Sequence, residues 1–134
     1  MIRAVLDTNV LISALFWKGN PEKIVRKCLE KEIIGVTSPA ILRELEKKLL
    51  SKFKYPSEET RKYIELLIKE FEVVSPRRKV KVVKDADDNK IIEAAIEAKA
   101  KYVVSGDSHL LDLKEYEGIQ MVGPREFLGA VIRN

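Results

Sequence analysis

Cysteine is nearly missing from this sequence. Cys28 is the only one in 134 residues, so no intrachain disulfide can form and a reducing, cytoplasmic setting is expected. Its neighbours Ile24, Val25 and Leu29 predict a buried structural thiol rather than a nucleophile. No apolar run approaches the ~20 residues of a membrane span; the stretch from Val10 to Trp17 is broken by Ser13 and ends at Lys18. No charged leader precedes an apolar core at the N-terminus, so no secretory signal is expected. Glutamine occurs once, at Gln120, and asparagines are few, while Lys and Glu dominate the charged residues. That balance leans toward a thermophilic habitat, where ion-pair networks gain weight and labile amides are avoided.

The charged fraction of 34% beside 46% hydrophobic residues predicts a globular protein with a heavily charged surface. A net charge of +4 and a pI near 9.1 permit nucleic-acid binding without demanding it. The length suits a single domain, residues 1–134, with a real core.

Ile2 to Leu6 reads as a short buried strand, stopped by Asp7-Thr8-Asn9 and followed by Val10, Leu11, Ala14 and Leu15 at helical spacing. After the turn Lys18-Gly19-Asn20-Pro21 comes a helix with the stripe Ile24, Val25, Cys28 and Leu29. Ile33–Thr37 is a second strand, and Ser38-Pro39 opens a helix carrying Ile41, Leu42, Leu45 and Leu49. Lys52 to Tyr55 breaks it; the next helix starts at Pro56, with Ser57 and Thr60 as alternative caps. Val80-Lys81-Val82 alternates as a short strand or edge segment would. Lys84–Asn89 leads into a helix with Ile91, Ile92 and Ala95, Lys101–Ser105 is a buried strand, Ile119–Val122 a last strand, and Pro124 opens a terminal helix. Short apolar strands alternating with helices predict an α/β protein: a three-layer α/β/α fold around a short parallel sheet of four or five strands.

Asp7 and Asp107 each stand immediately past a buried strand, where open parallel sheets place their ligands. Asp88 opens a helix whose amino end belongs at the same edge, and Glu44 lies near that rim. Singly, each has a plain alternative. Asp7, Asp107 and the Asp85-Ala86-Asp87-Asp88 run can cap helices, and Glu44 can be a solvated surface residue. Together, four acids from four elements converge, and a divalent cation relieves the repulsion that close carboxylates suffer. All-oxygen ligation suits Mg²⁺ or Mn²⁺, and no cysteine–histidine set argues for zinc.

Asp7-Thr8-Asn9 after a strand, Glu44 in Ile-Leu-Arg-Glu-Leu, Asp88 in Asp-Asp-Asn-Lys-Ile-Ile-Glu-Ala-Ala and Asp107 in Val-Val-Ser-Gly-Asp-Ser-His-Leu resemble the PIN domain, and most nearly its VapC-like toxin branch. The resemblance implies a ribonuclease with Asp7, Glu44, Asp88 and Asp107 as an acidic quartet holding Mg²⁺, with Mn²⁺ as substitute. It also implies a homodimer and a small antitoxin partner. Thr8 and Asn9 would hold the first carboxylate or a water at the metal, and Ser105 occupies a slot where the family often has Thr. Asp87, beside Asp88, is the alternative third acid. Arg43, the Arg77-Arg78-Lys79 turn and His109 are candidate RNA contacts, and Phe16 and Trp17 could stack a base or pack against a partner. A haloacid-dehalogenase-like phosphatase would need a second aspartate where Asn9 stands. The remaining alternatives are a housekeeping RNA-processing nuclease and a non-catalytic RNA-binding or assembly module.

Overall fold

The computed structural model describes residues 1–133. In chain order the elements are β1 (Arg3–Leu6), α1 (Thr8–Phe16), α2 (Asn20–Leu29), β2 (Ile34–Thr37), α3 (Pro39–Lys47) with a π-helical turn at Lys48–Lys52, α4 (Ser57–Glu70) and β3 (Glu72–Val73). There follow α5 (Ala86–Ala98), β4 (Tyr102–Val104), α6 (Ser108–Leu111), β5 (Glu115–Tyr116), β6 (Ile119–Val122) and α7 (Pro124–Arg133).

The strands form one sheet in the order β3-β2-β1-β4-β6-β5. The pairings from β3 through β6 are all parallel, and only β5 runs antiparallel, on β6. The α/β/α class expected from the strand–helix alternation is therefore found. The sheet has six strands rather than four or five because two residues at each edge suffice for a ladder: Glu72–Val73 beside β2 and Glu115–Tyr116 beside β6. Neither pair is long enough to show a periodicity of two. In β1, Ala4, Val5 and Leu6 are all fully buried. Successive strand side chains point to opposite faces, so helices must cover both faces of the sheet.

Two local features decide how the layers close. Gly35 in β2 has no side chain because the ring of Phe71 occupies that space; a Cβ there would lie 2.6 Å from the ring. Tyr63 on α4 donates to the carbonyl of Leu11 at 2.7 Å, tying α4 to α1 across the core. Cys28 is buried, and burial pushes its thiol up to about 12.

Two local expectations need correction. Val80–Val82 is neither strand nor edge: its amides are taken by side chains of α5. Glu93 accepts from Val80 N at 3.0 Å, and Asn89 Oδ1 accepts from Val82 N and Val83 N at 2.9 and 3.0 Å. A segment whose donors are satisfied this way has no need of a ladder partner. At the start of α4, Pro56 holds the cap position without a side-chain bond, and neither Ser57 nor Thr60 caps. Ser38, by contrast, caps α3 as the Ser-Pro pair predicts, accepting from Ile41 N at 3.3 Å. No helix among the described residues is long and apolar enough to cross a membrane.

Candidate metal centre and nucleic-acid groove

The chain leaves β1 toward β2 on one side and leaves β4 toward β6 on the other, so the strand order reverses between β1 and β4. Crevices at such reversals, beyond the carboxyl ends of the strands, are where open sheets bind ligands. Asp7 is the first residue past β1, and Asp107 follows β4 after Ser105-Gly106. They are joined by one hydroxyl: Ser105 Oγ donates to Asp7 Oδ2 at 2.7 Å and accepts from Asp107 N at 2.9 Å. Ser105 is wholly buried and Asp7 nearly so. Asp7 also donates its own N–H to Val104 O at 3.0 Å, locking β1 to β4 at the crevice.

The acidic run at the start of α5 divides its labour. Asp85 caps the helix, its Oδ1 accepting from Asp87 N at 2.8 Å. Asp87 is exposed. Asp88 is only 7% exposed, and its Oδ2 is buried without a hydrogen-bond partner. Burial, then Asp107, Asp85, Asp7 and Glu44, push the Asp88 carboxyl up to about 7. Glu44 is raised as well, by burial and then by Asp87 against it, with the Thr8 hydroxyl and the Lys48 ammonium opposing. Asp7 is raised chiefly by burial, although the Ser105 hydroxyl and the Thr8 N–H draw it down. The four acids thus feel one another from four separate elements.

Crowded carboxylates with raised pKa values and an orphaned buried oxygen are short of positive charge. Lys48 supplies part of it, 3.6 Å from Glu44 Oε1 and 3.4 Å from Asn9 Oδ1. A divalent cation would supply the rest, and oxygen-rich donors of this kind fit Mg²⁺ or Mn²⁺. Asn9 is exposed and engaged with Lys48, whereas Thr8 is buried with its hydroxyl toward Glu44. Lys48 was not singled out in the sequence. Its spacing of four from Glu44 on one helix was the available signal.

The proposed RNA contacts separate into two groups. Arg43 and Lys79, with Lys90, line a groove of about 210 Å³ between α3, the 75–80 segment and α5. Arg43 is the residue before Glu44 and Lys90 follows Asp88 by two, and Lys90 is itself paired with Glu93 at 3.5 Å. Arg77 and Arg78 are not brought there. Arg77 pairs with Glu97 at 3.4 Å and Arg78 with Glu117 at 2.6 Å, and Glu97 stands ~13 Å along α5 from Asp88 at 1.5 Å per residue. His109 is exposed beside Asp107, its Nδ1 3.2 Å from Oδ1. Phe16 is packed into an aromatic cluster with Phe53, Tyr55 and Trp17, and Trp17 remains 60% exposed.

Known proteins share sequence or fold with this chain. An uncharacterized protein of Methanocaldococcus jannaschii is 39% identical over 119 residues, covering 85% of this chain and 76% of that one. Among solved structures, VapBC2 from Rickettsia felis, bound to a DNA fragment from its promoter, superposes with a TM-score of 0.66 at 15% identity, covering 91% of this chain and 98% of its own. The PIN domain endonuclease Utp24 superposes with a TM-score of 0.57 at 20% identity, covering 90% and 84%. Residues 3–109, which run from β1 through His109 and so contain every acid of the crevice, match the PIN domain family, and the chain belongs to that family.

Proposed function

We propose that this protein is a metal-dependent endoribonuclease, with Asp7, Glu44, Asp88 and Asp107 as its metal-binding quartet. The observation that carries the reading is the buried Asp88 Oδ2, left without a partner among three other acids at the sheet's point of reversal. A bound Mg²⁺ or Mn²⁺ would supply Lewis-acid chemistry, activating water for in-line attack on phosphorus and steadying the departing 3′-oxygen. The chain's own part is placement. Ser105 holds Asp7 and Asp107 in fixed relation, Asp85 secures the turn that presents Asp88, and Lys48 orients Glu44 and Asn9. Arg43, Lys79 and Lys90 line a groove that offers the phosphate backbone positive charge. No side chain is needed as a nucleophile.

The resemblance to VapC-like proteins, together with the VapBC neighbour, supports a toxin role, pairing with a second copy and neutralisation by an antitoxin. A short antitoxin reading frame directly upstream would separate that role from housekeeping RNA processing.

Two experiments test the reading. In a quenched fluorescent RNA assay the purified chain is expected to cut with Mg²⁺ or Mn²⁺ and not with EDTA. Asp7→Asn should lower the rate at least about a thousandfold, roughly 4 kcal/mol of barrier. Absence of cutting in every metal by folded, partner-free protein would overturn the enzyme in favour of a binding module. Salt-dependent RNA binding tests the groove. Arg43→Ala and Lys79→Ala should each reduce the slope of log affinity against log salt by about one, while Arg77→Ala and Arg78→Ala leave it unchanged. Equal effects from all four would place the RNA elsewhere.

A further inference from the structure

We propose that His109 is itself a ligand of the metal, so that this site takes a transition ion such as Mn²⁺ in preference to Mg²⁺. The proposal rests on the metal-dependent reading above and deepens it. One donor atom each from Asp88, Asp107 and His109 lie within 4.8 Å of one another. That bound is a little wider than the span of donors around a single ion, where ligands ~2.1 Å from the metal stand ~3 Å apart when adjacent and ~4.2 Å apart when opposite, so a small inward shift of the side chains would close it on a metal. His109 Nδ1 and Asp107 Oδ1, 3.2 Å apart, have the adjacent-ligand spacing.

A second observation concerns Asp88, a member of the same cluster. Asp88 Oδ2 is buried and lacks any hydrogen-bond partner, a costly condition for a carboxylate oxygen that a metal would relieve. The backbone that carries the imidazole is fixed there, since the His109 main-chain N–H donates to Asp107 Oδ1 at 2.8 Å. The chemistry of the donors then sets the preference. Imidazole nitrogen is a borderline donor that first-row transition ions accept, whereas Mg²⁺ favours oxygen and keeps its waters. An ordinary surface His–Asp contact accounts for the 3.2 Å distance but not for the orphaned oxygen of Asp88.

The chain contains one histidine, which makes the test specific. Electron spin echo modulation of Mn²⁺ bound to the tag-free protein should show imidazole ¹⁴N coupling, and His109→Ala should abolish it. Calorimetry should find Mn²⁺ affinity on the order of tenfold weaker in His109→Ala, with Mg²⁺ affected less. His109→Asp, restoring an oxygen donor, should shift preference toward Mg²⁺. Mn²⁺ bound without nitrogen coupling, at an affinity unchanged in His109→Ala, would overturn the histidine as ligand and leave the metal-dependent reading standing. A parent protein that binds Mg²⁺ but not Mn²⁺ would also overturn the histidine as ligand alone, and failure to bind either ion would overturn both.

Discussion

Asp88→Asn is expected to abolish RNA cleavage while making the metal-free protein less sensitive to alkaline conditions. The Asp88 carboxyl is pushed from its ordinary 3.8 up to about 7, by burial first and then by Asp107, Asp85, Asp7 and Glu44. Between those two values the folded chain binds a proton that the unfolded chain has released. Stability from this group is therefore fully present below about 4 and is lost as pH rises through 7. At 1.36 kcal/mol for each pH step the ceiling is about 4 kcal/mol, and water at the mouth of the crevice will reduce it. Asp7 and Glu44, both raised, act in the same sense. In EDTA, calorimetry should show the parent melting several degrees lower at pH 8 than at pH 5, with a clearly smaller drop for Asp88→Asn. Mn²⁺ at pH 8 should restore the parent and not the variant, because a ligand that binds only the folded state adds its binding free energy to stability. A parent melting temperature that rises from pH 5 to pH 8 without metal would mean that Asp88 carries no such burden. The expected pattern is a site that sacrifices stability so that metal can be held.

Ser105→Ala should be nearly as damaging for its size, because a single hydroxyl serves two masters. Its Oγ donates to Asp7 Oδ2 at 2.7 Å and accepts from Asp107 N at 2.9 Å, in a position with no solvent exposure. Alanine leaves a buried carboxylate oxygen without its donor and a backbone N–H without its acceptor. Each unsatisfied group costs about 1–3 kcal/mol, so the urea midpoint should fall markedly. Asp7, already raised by burial, would lose the strongest influence holding it down. Groups that orient metal ligands are worth ~10–100-fold in affinity or activity, and Mn²⁺ binding should weaken by that factor. Ser105→Thr keeps the hydroxyl and should recover most of the metal affinity, even if its extra methyl costs some stability in a filled core. Unchanged Mn²⁺ affinity in Ser105→Ala would remove Ser105 from any positioning role and confine it to stability.

The order of strands and helices was legible because it is written in local periodicity. Ile2–Leu6 and Lys101–Ser105 are short apolar runs that end at an acid or at Gly-Asp, and Ser38-Pro39 carries its own cap. These signals act over a few residues and survive without tertiary context. Asp7 and Asp107 were legible for the same reason, since each sits where a buried strand must stop. The two-residue edges β3 and β5 were not legible, because such short pieces have no period and owe their form to a neighbour's free edge. The path of residues 75–84 was also hidden. Its amides pair with Asn89 and Glu93, side chains whose role on α5 only the packed helix reveals.

By itself, then, the sequence determined the longer strands and helices of the layers and that acids stand where β1 and β4 stop. Hydrogen bonds, caps and hydrophobic period are local and need no partner to be read. The tertiary structure alone decided which charges face one another. It buried Asp88 and left Asp87 exposed against Glu44, gave Arg43 and Lys79 a common groove, turned Arg77 and Arg78 away to Glu97 and Glu117, and put Ser105 between Asp7 and Asp107. Electrostatic partners are chosen by distance in space, and residues 98 positions apart in the chain, as Asp7 and Ser105 are, meet only when the sheet has assembled.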